Sequence, residues 1–185
     1  MILPIYTLEQ PVLRQVAEDI TPEYPNLKEL ITNMYETLEQ SEGIGLAAPQ
    51  IGLPIRLVII NLDLISDDLP EYKDYIRTFI NPHIIEMDDT ETDSMEEGCL
   101  SLPGIHEPVR RPTRIRVRYQ DENFEEHEAW VTGYLARVMQ HEFDHLEGKM
   151  FIDHLSGLRK QMIKGKLANM LKGKVRCAYK TKTVK

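Results

Sequence analysis

Apolar residues recur every three or four positions between Pro25 and Gln40, at Leu27, Leu30, Ile31, Met34, Tyr35 and Leu38, which predicts an amphipathic helix stopped by Gly43. The pattern then changes period. Arg56 to Leu62 is dense in β-branched side chains and predicts a strand, as does Tyr75 to Glu86, where Pro82 calls for an edge position or a bulge. From Thr113 to Tyr119 the chain alternates Ile115, Val117 and Tyr119 with Arg114, Arg116 and Arg118, a half-buried strand whose basic face is read as solvated. Phe124 to Val131 is expected to pair with it across the polar Asp121-Glu122-Asn123 turn. A helix follows from Thr132 or Gly133 to about Glu147, with Thr132 as N-cap and Gly148 as the stop. Further on, Leu155, Leu158, Met162, Ile163, Leu167 and Leu171 form a stripe opposite Arg159, Lys160, Lys164, Lys166 and Lys172, predicting a C-terminal helix. Strands before and between helices indicate an α+β fold in which antiparallel β-sheets wrap a central helix.

The chain has 185 residues, 42% of them hydrophobic, enough for one core, and no linker-like stretch divides it. Residues 1–185 are therefore expected to form one domain, with 155–185 as its basic C-terminal helix and tail. No apolar run of 15 residues marks secretion or a membrane span, so the expectation is a cytoplasmic protein without a membrane or DNA partner. Two cysteines make no disulfide framework, in keeping with a reducing compartment. The net charge of −8 conceals an asymmetry: residues 1–153 carry all 30 acidic side chains and 12 of the 22 Lys and Arg, and residues 154–185 carry the other ten and no acid. Such a tail is either a solvated face or a contact for RNA phosphates.

The strongest chemical signal lies in the predicted central helix, at His141-Glu142-Phe143-Asp144-His145. Histidines four apart stand on one helical face and can share an ion, while Glu142 is offset enough to hold a water instead. Two ligands do not complete a hydrolytic site. The extended pattern that takes a third histidine from six residues downstream meets Phe151, and no Asp or Glu follows Asp153. His154 is a minor downstream candidate. Cys99, in Glu97-Gly98-Cys99-Leu100-Ser101, is the better one, because a thiolate suits zinc or iron(II), although a lone cysteine is most often a small buried apolar residue. A third block, Gly43-Ile44-Gly45-Leu46-Ala47-Ala48-Pro49-Gln50, is rich in small residues and ends in an amide, without the Lys-Ser/Thr of a phosphate loop.

Together and in this order, Gly43 to Gln50, Glu97 to Ser101 and Gln140 to Gly148 resemble the three signatures of the peptide deformylases, GxGxAAxQ, EGCLS and QHExDHLxG. The resemblance runs from about residue 3 to residue 165. It implies the same α+β fold and a metal hydrolase that removes the formyl group from the formyl-methionine of nascent polypeptides. It also implies one divalent ion per chain on Cys99, His141 and His145, with iron(II) in bacteria and zinc, nickel or cobalt possible. With three protein ligands one coordination position stays open, a bound water is acidified, and Glu142 acts as general base and then acid. The Gln50 amide and the Leu100 N–H are the implied oxyanion donors. Ile44, Gly45 and Gly104 are expected along the peptide backbone, and Tyr134 and Val138 in a pocket for the methionine side chain. Arg137 is expected at its rim, and Glu97 and Gln140 stand either beside the ligands or at the surface. Asp144 is expected to pair with Arg110 or Arg111. The resemblance also implies a ribosome contact through the basic C-terminal helix. Two features depart from many members: residues 63–75 make a longer loop, and His106 stands where an arginine is common. An internal-bond zinc peptidase and a non-catalytic ribosome-associated module are the competing readings; Phe151 and the acid-free tail disfavour the first, Glu142 and Gln50 the second.

Overall fold

The computed structural model describes residues 1–183. In chain order the elements are β1 (Ile5–Tyr6), α1 (Leu27–Gln40), β2 (Gly45–Ala47), β3 (Leu57–Asn61), β4 (Ile76–Cys99), β5 (Leu102–Gln120), β6 (Glu126–Thr132), α2 (Gly133–Leu146), α3 (Gly157–Leu171) and β7 (Thr181–Lys182). Strands β2-β3-β4-β5-β6 form one antiparallel sheet in that order.

The strand β3 shows why the sheet lies where it does. Successive side chains on a strand point to opposite faces, and here both faces are covered. Val58 and Ile60 pack with Phe79, Ile115 and Val117 against Met139, Phe143 and Leu146 of α2. Leu57 and Ile59 pack with Leu46 and Ile80 against Ile31, Met34 and Leu38 of α1. All four β3 side chains are wholly buried, which accounts for an unbroken apolar run instead of an alternating one. Each contributes on the order of 1.5–3 kcal/mol by burial.

Strands β4 and β5 extend well beyond the segments that alternation picks out, to 24 and 19 residues. They form a long bent hairpin with register shifts at Ile80/His83, Ile84/Glu86, Asp88/Thr92 and Gly98/Cys99. Pro82 falls at the first shift, in a strand flanked on both sides, so the bulge alternative holds and the edge alternative does not. Its carbonyl accepts from the buried Arg56 guanidinium at 2.6 and 3.1 Å. Arg114, Arg116 and Arg118 of β5 are half in solvent and paired across the sheet: Arg116 and Arg118 with Glu128, and Arg114 over the Trp130 ring at 4.1 Å.

Three expectations are corrected. The termini form a parallel ribbon, β1 with β7, outside the antiparallel sheet. The expected stripe on the C-terminal helix is split: Leu155 and Ile163 are buried, but Leu158 and Met162 remain 73% and 69% exposed. Met162 sits about 100° and Leu158 about 140° round the helix from Ile163, and Arg159 on that helix is tied to Glu107 at 2.7 Å. Finally, Thr132 makes no side-chain cap on α2. The Leu135 N–H in the first turn is instead met by the Tyr72 hydroxyl, at 3.1 Å. Tyr72 belongs to the long 63–75 loop, which is folded into two 3-10 turns and closed by Asp63 Oδ1 accepting from the Asp74 N–H. The loop thus caps the helix that carries the histidines.

Replacing Tyr72 with Phe leaves that first-turn N–H without its partner. Stability in urea is expected to fall by about 1 kcal/mol, the usual loss for a helix cap, with no change in denaturant slope.

Candidate metal centre and active-site cleft

Helix α2 presents His141 and His145 one turn apart, with ring centroids 5.4 Å from each other. The end of β4 brings Cys99 to them: its Sγ lies 3.4 Å from His145 Nε2, and one ligand atom from each residue lies within 4.8 Å of the others. The orientation of His141 has a visible cause. Its Nδ1 is hydrogen-bonded to Glu97 Oε1 at 2.8 Å, which leaves Nε2 for the cluster.

Glu97 is itself held by two guanidinium groups. Arg111 donates to both carboxylate oxygens, at 2.6 and 2.9 Å, and Arg137 donates at 2.8 Å. Burial alone would raise the Glu97 carboxyl, but the hydrogen bonds from His141 and Arg111 outweigh it and hold the group far below the usual carboxylate range. Arg111 also reaches Asp144 at 2.9 Å, and Asp144 accepts from His154 at 2.7 Å. Asp144 therefore pairs with Arg111, while Arg110 turns to Thr92. Gln140 donates to the Pro112 carbonyl at 2.9 Å, a further tie between α2 and β5. His154 is used by Asp144 and lies outside the ligand cluster. Phe151 stacks on the His141 ring at 5.9 Å.

Arg137 departs from the expected rim position. It is buried, paired with Glu97 and Asp93, and donates to the Val109 carbonyl at 2.7 Å. Its neighbours explain this: the acidic partners come from β4, whose extent is not visible in local periodicity.

Charge around the sulfur is unusual. Burial raises a thiol, yet the His145 charge and the hydrogen bonds from both imidazoles bring Cys99 down to about 5. A thiolate beside two imidazoles, gathered on one point, is a donor set suited to zinc or iron(II), and a divalent cation there would displace protons from the cluster. Two buried polar atoms beside it, Glu142 Oε2 and His145 Nδ1, have no hydrogen-bond partner among the described residues. Burial pushes the Glu142 carboxyl up to about 7.

Gln50, in the 3-10 turn after β2, is fixed by the Ala47 N–H donating to its Oε1 at 2.9 Å. Its amide nitrogen is thereby aimed at Ser101 Oγ, 3.2 Å away, and at Cys99 Sγ, 3.5 Å away. In front of these groups lies a cleft of about 310 Å³, lined by Ile44, Gly45, Gln50, Leu100, Tyr134 and Val138 among others. Gly45 is small of necessity, since a Cβ there would come within 2.5 Å of Glu142 Oε1. Gly104 does not line the cleft. It has φ of 77°, and a Cβ there would meet Val175 at 3.2 Å. Gly98 does line it, and a Cβ there would meet the His106 ring at 2.6 Å. A pattern of small residues next to a ligand was the available signal for Gly98.

Glu97 and Asp144 both have carboxyls lowered in the folded state, Asp144 by His154 and Arg111 against the opposing effect of burial. In acid the unfolded chain then binds more protons than the folded one, so stability rises with pH. Their contribution is complete above about pH 5 and is lost as pH falls through the folded-state values. The urea midpoint followed by circular dichroism should drop below about pH 5, and Asp144→Asn should flatten that dependence while lowering the midpoint at neutral pH.

The comparisons with known proteins point to one family. The sequence model of the family described as polypeptide deformylase matches residues 2–161. The peptide deformylase of Christiangramia forsetii is 48% identical, covering 97% of this chain and 95% of its own. That of Flavobacterium psychrophilum is 46% identical over 100% and 98%. Among solved structures, a peptide deformylase from Legionella pneumophila superposes with a TM-score of 0.81 at 35% identity, covering 95% of this chain and 99% of its own. The Plasmodium falciparum enzyme gives 0.82 at 34% identity over 91% and 95%. By sequence over nearly its whole length, and by fold, the chain belongs to the polypeptide deformylase family.

Proposed function

We propose that the cleft hydrolyses the formyl group from the N-terminal formyl-methionine of nascent polypeptides, with one divalent cation held by Cys99, His141 and His145 and with Glu142 as the proton-transfer group. The observation that carries this reading is the convergence of a thiol and two imidazoles beside a buried, unpartnered carboxylate. Bound there, a divalent cation would acidify a coordinated water and polarise the formyl oxygen. The soft donor set is compatible with iron(II), which is the physiological ion in this proposal, and with zinc, nickel or cobalt.

Glu142 is suited to accept a proton from water and return it to the leaving amine because burial brings its pKa to about 7, so both protonation states are accessible near neutral pH. The Gln50 amide and the Leu100 N–H are assigned to the developing oxyanion; Gln50 is supported by its fixed orientation beside Cys99. An extended peptide passes along the backbone of Ile44, Gly45 and Gly98, and Tyr134 and Val138 receive the methionine side chain. Among the described residues no helix is long and apolar enough to cross a membrane, and such substrates arise in the cytoplasm, where we place the enzyme. Replacing Glu142 with Gln keeps the volume and removes the base. Turnover of a formyl-Met peptide should fall by about 10²–10⁴-fold with metal content unchanged. Unchanged turnover would refute the assignment.

The basic helix α3 is proposed as a ribosome contact. Leu158 and Met162 stand exposed among lysines, an arrangement suited to a surface that combines RNA phosphate with an apolar patch. Leu158→Glu with Met162→Glu should abolish salt-sensitive cosedimentation with ribosomes and leave hydrolysis of a free formyl-Met peptide intact. Equal cosedimentation of the variant and the intact chain would count against this contact.

A further inference from the structure

The turn beside the metal cluster is pinned from both ends of the chain. Leu100 and Ser101 form the two-residue link between β4 and β5, directly after Cys99. Ser101 is wholly buried and held twice: its hydroxyl accepts from Gln50 Nε2 at 3.2 Å and its carbonyl from the Leu8 N–H at 3.1 Å. The Leu100 carbonyl accepts from the Tyr179 hydroxyl at 2.8 Å.

Leu8 and Tyr179 flank the same ribbon, the first shortly after β1 and the second shortly before β7. The ribbon is secured by the Ile5 N–H to the Lys180 carbonyl at 2.8 Å and the Thr7 N–H to the Lys182 carbonyl at 3.1 Å. The strap that leads into it touches both sides of the turn. Val175 packs in the cluster that holds Cys99, Leu102 and Ile105, and the Tyr179 ring packs in the one that holds Leu100. Burial keeps the Tyr179 phenol well above its usual value, so it stays protonated as a donor.

Each residue has two soft backbone torsions, so the peptide planes on either side of the Leu100 Cα decide where its N–H points. Cys99 is anchored in the ligand cluster on one side. Tyr179 holds the carbonyl on the other. We infer that the C-terminal strap belongs to the catalytic apparatus: Tyr179 is a positioning residue that fixes the Leu100 peptide and, through it, the angle at which the Leu100 N–H meets charge developing on the formyl oxygen. The inference rests on the oxyanion role given to Leu100 above.

Tyr179→Phe keeps the ring and removes only the oxygen. The kcat for a formyl-Met peptide should fall about tenfold with KM changed by less than about twofold, a loss confined to the transition state. Metal content and melting temperature should be unchanged. Undiminished kcat overturns the inference, and so does a fall in kcat that comes with lost metal or a lowered melting temperature, which marks a purely structural contact. A second protein carrying a backbone ester in place of the Leu100 N–H separates the two layers. Normal turnover of the ester form removes Leu100 from the oxyanion role and the strap inference with it. An impaired ester form beside an unimpaired Tyr179→Phe removes the strap alone.

Discussion

The geometry of the cleft depends on one buried anion, the Glu97 carboxylate near the end of β4. It receives hydrogen bonds from Arg111 of β5 and from Arg137 and His141 of α2, so it joins both strands of the long hairpin to the central helix at a single point. Burying these charges is costly, and an apolar cluster of equal volume would hold the elements together as well or better. What an apolar cluster lacks is direction. A carboxylate at 2.8 Å from His141 Nδ1 selects the ring tautomer that leaves Nε2 with a lone pair, and removing any one partner leaves a buried charge unmatched at a cost of about 3–5 kcal/mol. The arrangement is therefore rigid because each member is needed by the others. Arg111 repeats the link one turn further along α2, through Asp144.

That network also explains where the third donor comes from. The two histidines on α2 would accept a partner from any segment that reaches them, and other HExxH layouts use the chain downstream. Here the downstream residues have other work. Phe151 lies flat against the His141 ring, and His154 is held on Asp144 by the same charge cluster that serves Arg111. The hairpin, clamped to α2 by Glu97, delivers Cys99 two residues later. Seen this way, Glu97 and Cys99 are one device: the carboxylate docks the strand, and the sulfur arrives in register because the chain between them is extended and short.

Much of this was legible in the residues, for reasons that differ from element to element. The helix bearing His141 and His145 and the strand β3 announce themselves through strong periodicity and β-branched density. The i, i+4 spacing of the histidines carries their adjacency directly. Asp144 could be matched with Arg110 or Arg111 because both segments stand next to the chemistry-bearing ones, but the choice of Arg111 depends on which face of β5 each arginine takes. The full length of β4 and β5 was not legible, because residues 88–97 are mostly exposed and acidic and follow neither period. The burial of Arg137 is illegible for the same reason, since its partners Asp93 and Glu97 lie in that stretch. The two-residue strands β1 and β7 have no periodicity to read, and their pairing joins positions some 175 residues apart. The Tyr72 cap was hidden by a rule of thumb: Thr132 is the right residue type at the right position, but a hydroxyl from a distant loop meets the first-turn N–H instead.

Glu142, like the Nδ1 of His145 beside it, breaks the rule that buried polar atoms find partners among the described residues. Glu142 is almost fully enclosed, Gly45 sits against it with no room for a Cβ, and its Oε2 has nothing to accept from. An isolated ionised carboxylate in such a place costs several kcal/mol, and the fold tolerates it only because the group can take up a proton instead. That requirement and the catalytic one coincide. A carboxyl placed among good donors, as Glu97 is, stays ionised at every physiological pH and cannot cycle a proton. A carboxyl denied donors is held near neutrality, where gain and loss of a proton are almost equally easy. The same cleft therefore needs both environments: Glu97 saturated with donors so that the ligands stay fixed, and Glu142 deprived of them so that it can exchange protons with water.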